Sequence, residues 1–284
     1  MFSLRPGVNA LGISMKLMSS AADQVMPRTF SGEQITSTSP ETQYTPLSRV
    51  VAIVGCDGSG KTSLVTDLVA RLNTQEPTER CYMGLVSGET GDKIKKLPII
   101  GKQLERYLAA RVRRAQDMKK KVPGLFSACV MYGFSLLRVS HLRRLMKRSE
   151  SGHLTIADRY PQAEFSGFHY DGPGIDAGRT ESPFIQKLAK REQKLYDWMA
   201  KQRPALIIRL NVDADTAHAR KSDHPLEELR EKTAIMPRIK YNGTRILEID
   251  ARLPYEQVLQ TALNAIKGAV SVGNLSLNKE RHIF

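Results

Sequence analysis

The sequence predicts a three-layer α/β fold, with a central parallel sheet and helices on both faces. Three observations predict it. Short continuous β-branched runs recur along the chain, stretches with helical apolar spacing alternate with them, and a glycine-rich turn joins the first run to the first helix. Continuous apolar runs suit strands covered on both faces. Strands alternating with helices are the pattern of a parallel sheet with crossover helices.

Each element follows in order. Val50-Val51-Ala52-Ile53-Val54 is the first core strand. Residues 62–72 read as a helix with Leu64, Val65, Leu68, Val69 and Leu72 on one face. Residues 104–114 and 126–147 read as helices separated by Pro123-Gly124. A second strand, 153–157, follows the breaker Gly152. A helix at 183–201 carries Phe184, Ile185, Leu188, Leu195 and Trp198, and strand 205–210 comes after it. A helix opens at 213–221, a short strand occupies 245–249, and the last helix spans 255–267. Residues 1–47 are rich in Ser, Thr, Pro, Gly and Gln without periodicity, so they read as a disordered tail. Met15, Met18 and Met26 leave a later start open, and Arg5, Lys16 and Arg28 leave a transit peptide open. The folded domain is expected over 48–268, with 269–284 as a loose C-terminal tail.

Composition narrows the setting. The 284 residues hold three scattered cysteines, Cys56, Cys81 and Cys129, which make neither a disulfide framework nor a zinc pattern. A reducing cytoplasm is the simplest location. The longest apolar run, 125–137, suits a buried or dimer-interface helix better than a membrane span, although peripheral membrane contact stays open. The net charge of +14 is uneven: sixteen bases and five acids lie between Leu85 and Glu150, a net +11. Such a segment faces anions or is simply a set of solvated helix faces. It carries no RNA-binding signature and no interleaved aromatics, so no specific nucleic-acid partner is expected.

The chemistry gathers at the glycine-rich turn. Gly55-Cys56-Asp57-Gly58-Ser59-Gly60-Lys61-Thr62 fits G-x-x-x-x-G-K-[ST] between a strand and a helix. The glycines let successive N–H groups wrap around phosphate oxygens, and the helix adds its positive end. Gly55, Asp57, Gly58, Ser59, Gly60, Lys61, Thr62 and Ser63 are therefore the expected ATP-binding residues. Lys61 reaches the β- and γ-phosphates and the Thr62 hydroxyl ligates Mg²⁺. No N-K-x-D reads guanine, and the D-x-x-G at Asp171–Gly174 has no strand directly before it. The fold expectation sharpens to a three-layer P-loop NTPase fold with a short lid.

A second carboxylate ends the 153–157 strand, in Asp158-Arg159-Tyr160. Side chains at the carboxyl end of a core strand face the ligand crevice. Asp158 is expected to hold Mg²⁺ directly or through water. The Arg159 fork suits an anionic acceptor.

These residues resemble the thymidylate kinases. The loop form G-x-D-G-x-G-K-[ST], with Asp57, and Asp158-Arg159-Tyr160 match that family's motifs. Phe134-Ser135-Leu136-Leu137-Arg138 is similar to its F-x-x-x-R helix segment, the 204–210 run to its P-D-L strand, and Leu247-Glu248-Ile249-Asp250-Ala251 to its final strand. The resemblance covers about 48–268. It implies a nucleoside monophosphate kinase with dTMP as the favoured small-molecule acceptor, ATP and Mg²⁺ as cofactors, and commonly a homodimer. It further implies that Phe134 stacks on the base, Arg138 reads its carbonyl, and Asp57, Arg159 and Tyr160 serve the acceptor. Arg220 and Lys221 would begin a lid running to Glu231. Phe134 as a core residue and Arg138 as a solvated helix charge remain alternatives. So do a hydroxyl acceptor, with Asp57 or Asp158 as base, and a nucleotide-dependent binding protein. The sequence departs from the family at Ala205 and at Met83–Glu89, where a family signature near the acceptor is missing.

Overall fold

The computed structural model describes residues 44–84, 124–165, 174–175, 178 and 180–281. The expected N-terminal tail, the helix at 104–114, the basic stretch through 123 and most of the 171–174 segment lie outside the described residues.

The run at 50–54 forms the middle of β1 (Thr45–Gly55). It pairs in parallel with β3 (Leu154–Asp158) on one side and β4 (Gln202–Asn211) on the other. β2 (Thr78–Tyr82) and β5 (Ile246–Asp250) add the outer positions, in the order β2-β3-β1-β4-β5. Every pairing is parallel.

Side chains alternate across a strand, and β1 shows why its whole run must be apolar. Val51 and Ile53 face α1 (Lys61–Leu72) and α6 (Tyr255–Arg281), packing on Leu64, Leu68, Leu259 and Ile266. Val50, Ala52 and Val54 face the opposite layer, with Leu142 and Leu145 of α2 (Leu125–Glu150) and Tyr196 and Met199 of α3 (Pro183–Ala200). Each such aliphatic side chain contributes about 1.5–3 kcal/mol when fully buried. Helices therefore cover both faces of the sheet, and the chain has the three-layer α/β P-loop NTPase fold. α4 (Ala214–Arg220) and α5 (Leu226–Ile235) form a short helical lid after β4.

Three boundaries differ from expectation. β1 starts at Thr45, before the expected start of the domain at 48, because Thr45–Leu47 pairs with Gln202–Pro204 ahead of a register shift. β4 accordingly starts at Gln202 rather than 205. The last helix continues to Arg281, so the expected loose tail from 269 is helical; Ala269 and Val270 extend its buried stripe past Ile266. The apolar run at 125–137 lies in α2, where Ala128 and Met131 are buried against Ile185 and Leu188 of α3. No helix among the described residues is long and apolar enough to cross a membrane.

Candidate functional site

The glycine-rich loop leaves β1 at the carboxyl edge of the sheet, where β3 also ends. Ile53 pairs with Asp158, and the Arg159 amide donates to the Ile53 carbonyl at 2.9 Å. The order of the sheet reverses at β1 and β3, and ligands bind outside such a point. Gly60 adopts φ +88 as the N-cap of α1, a left-handed turn that glycine takes without strain. Gly58, at φ +81, is needed for space. A Cβ there would lie 2.3 Å from the Ala217 carbonyl oxygen, so the lid's α4 rests directly on the loop. Cys56, Ala214, Ala217 and Leu229 seal that contact.

Lys61 folds back over the loop and donates to the Cys56 carbonyl at 2.6 Å. The Thr62 hydroxyl lies 3.3 Å from Asp158 Oδ2. Asp158 is fully buried, and its Oδ1 has no hydrogen-bond partner; the Arg159 guanidinium stands 3.8 Å away. An unsatisfied buried carboxylate oxygen is costly. Beside a hydroxyl, it is the hard oxygen donor set that suits Mg²⁺. Ser59 Oγ is likewise buried without a partner, while Ser63 is exposed.

Arg159 has φ +78, an uncommon conformation for a side chain of that size. It turns the guanidinium out of the strand. Nη1 donates to the Tyr82 hydroxyl at 3.0 Å, Nη2 lies 3.4 Å from Asp57 Oδ1, and the group stands over the Tyr82 ring at 5.2 Å. Asp57 Oδ2 accepts from Lys232 of α5 at 2.7 Å. Burial alone would raise the Asp57 carboxyl. The Lys232 and Lys61 charges, the Lys232 hydrogen bond and the Arg159 charge outweigh that and hold it well below the usual carboxylate range.

The structure thus brings Asp57, Lys61, Thr62, Asp158 and Arg159 together. It does not bring Tyr160 with them. Tyr160 packs in the core and donates to the Gln202 carbonyl at 2.6 Å, toward the amino end of β4, so the acceptor role read from D-R-Y is corrected to a core role. Arg220 and Lys221 are exposed at the end of α4. Arg138 is not a solvated charge: it is 3% exposed, donates to the Met83 carbonyl at 3.2 Å and bonds the Tyr196 hydroxyl. Phe134, one turn earlier, is half-buried. Its neighbour Ser135 donates to the buried Glu192 at 2.5 Å.

No family model matches the chain. It is 51% identical over 230 residues to a protein of Escherichia coli K12 named "Uncharacterized ATP-binding protein YghR", covering 81% of this chain and 90% of that one. It is 44% identical over 227 residues to "Uncharacterized ATP-binding protein YghS" of the same strain, covering 80% and 95%. The chain belongs to the YghR/YghS family. Among solved structures, a deoxyadenosine kinase from M. mycoides with dCMP and a flexible dCDP bound is similar at a TM-score of 0.46 and 14% identity, covering 77% of this chain and 99% of that one. A likeness at that level carries no argument about chemistry.

Sequence reasoning missed two cations of this family member's site. Arg80 of β2 donates to Asp158 Oδ2 at 2.6 Å and stands over the Tyr82 ring. Lys232 holds both Asp57 and Glu228, each at 2.7 Å. Neither lies in a local motif: Asp158 is 78 residues from Arg80, and Asp57 is 175 residues from Lys232. A cavity of about 390 Å³ also opens beside the loop, lined by Cys56, Asn211, Asp213, Met236, Asp250 and Arg252 among others.

The Asp57 pairing makes a prediction for acid stability. The folded carboxyl is held below its unfolded value near 4, so its contribution is present above that pH and is lost as pH falls through the folded value. Asp57→Asn should cost about 2 kcal/mol at neutral pH by leaving Lys232 and Arg159 short of a partner. That gap should close as the pH is lowered from about 4. Chemical denaturation at several pH values checks it; a gap that widens on acidification would contradict the pairing.

Proposed function

We propose that the chain is a phosphotransferase that moves the ATP γ-phosphoryl group to a nucleoside monophosphate, with dTMP the favoured acceptor. The observation that carries the reading is the placement of Arg159. Its left-handed backbone holds a guanidinium between the loop carboxylate Asp57 and Tyr82, beside the Thr62–Asp158 pair. The names of the YghR and YghS relatives support ATP as donor.

The loop amides and Lys61 bind the donor phosphates, and the cavity beside Cys56 has room for its nucleoside. Thr62 and Asp158 would hold Mg²⁺, which when bound neutralises charge on the β- and γ-phosphates. Arg159 brings an anionic acceptor in line, and the lid on the loop excludes water. Arg138 lies beyond the end of β2, and Phe134 is one turn earlier on α2. There Arg138 sets the wall of the acceptor space through Met83 and Tyr196, and Phe134 is the expected stacking partner.

An acceptor that is already an oxyanion fits better than a hydroxyl. A hydroxyl needs a base, and Asp57 is paired with Arg159 and Asp158 with Arg80. ADP release from ATP–Mg²⁺ should be measured against dTMP, dUMP, other monophosphates, thymidine and simple sugars. A saturable response to monophosphates, greatest for dTMP, is expected. A response to sugars or thymidine with none to monophosphates would overturn the acceptor assignment.

A further inference from the structure

Lys232 sits on α5 with its ammonium turned to the loop and only 8% of its surface exposed. Burying an ammonium costs several kcal/mol, and an apolar residue of similar volume is often at least as stable in such a place. Stability alone is therefore a poor reason for a lysine here. Two features point to a use.

The first is convergence. Asp57 receives Lys232 on Oδ2 at 2.7 Å and Arg159 on Oδ1 at 3.4 Å. One cation comes from the lid and the other from the end of β3. A single carboxylate of the donor loop thus holds two positive groups, one on each oxygen. Glu228, one turn before Lys232, grips the same ammonium at 2.7 Å and fixes its direction.

The second is the cluster around it. Ligand atoms of Asp57, His224 and Glu228 lie within 4.8 Å of one another, close enough for a metal ion. The Lys232 nitrogen is already 2.7 Å from two of those three residues. The cluster is therefore built around an internal cation, carried on α5, whose Leu229 packs with Cys56 of the loop.

We propose that Lys232 is the lid cation that contacts the donor's γ-phosphate. Asp57 and Glu228 hold the ammonium at the loop, and γ-phosphate oxygens replace Asp57 as its acceptor when ATP binds. Arg220 and Lys221, exposed at the end of α4, do not have this position. The proposal rests on the donor-site reading above, but not on the identity of the acceptor.

The test is a binding ratio. Affinities for ATP and ADP, both with Mg²⁺, should be measured by calorimetry on the full chain and on Lys232→Met and Lys232→Arg. A charge-assisted contact to the γ-phosphate is worth about a 10- to 100-fold difference. Lys232→Met should weaken ATP by that factor and leave ADP unchanged, with Lys232→Arg recovering part of the loss. Should Lys232→Met fail to fold, Lys232→Gln, which removes the charge but keeps a donor for Asp57 and Glu228, should show the same selective loss. Equal weakening of ATP and ADP, or no weakening of either, overturns the proposal. A chain that shows the selective loss but phosphorylates no acceptor would overturn the acceptor reading and leave the Lys232 assignment standing.

Discussion

Lys61→Ala should lower kcat by about a thousandfold and leave the fold intact. Its ammonium is held against the Cys56 carbonyl at 2.6 Å, inside the loop that meets the β- and γ-phosphates. Lys61 belongs to neither of the core clusters that cover the two faces of the sheet. Thermal melting should stay near that of the parent while ADP release at saturating ATP collapses. A variant that melts normally and turns over at the parent rate would remove the loop as donor site.

Arg159→Gly separates function from stability. The φ of +78 costs an arginine about 1 kcal/mol that glycine does not pay. The substitution also removes the guanidinium that joins Asp57 and Tyr82. The variant should stay within about 1 kcal/mol of the parent, relieved strain offsetting the lost contacts to Asp57 and Tyr82, while kcat/KM for the acceptor falls by about 100-fold or more. Arg159→Lys should recover little, because a point charge lacks the fork that reaches two partners. A catalytically normal Arg159→Gly would mean that the strained turn serves something other than the acceptor.

The parts legible in the sequence are those coded by neighbours. The loop at 55–62 needs its glycines within a few residues of Lys61 and Thr62, and the β-branched runs of β1, β3 and β4 need apolar residues on both faces. Asp158 and Arg159 were legible because they end such a run. The parts that were not legible depend on distant partners. β2 reads Thr-Glu-Arg-Cys-Tyr, an outer strand with little apolar pattern, and it matters because Arg80 reaches Asp158. Lys232 lies just past the lid read from the sequence, and only the fold brings it to Asp57. Tyr160 misled for the opposite reason: it adjoins Arg159 in sequence, yet its ring turns into the core and its hydroxyl is spent on Gln202. Arg138 is intermediate, since its spacing from Phe134 marks a shared face, but only the fold shows that Met83 and Tyr196 hold it.

The most direct test follows the phosphoryl group itself. ATP labelled at the γ-position should be mixed with excess protein, Mg²⁺ and dTMP, and the label traced through a single turnover. The account predicts label in dTDP in step with ADP formation, and loss of both in Lys61→Ala. Label that passes only to inorganic phosphate, at a rate indifferent to dTMP and to every other monophosphate, would contradict it.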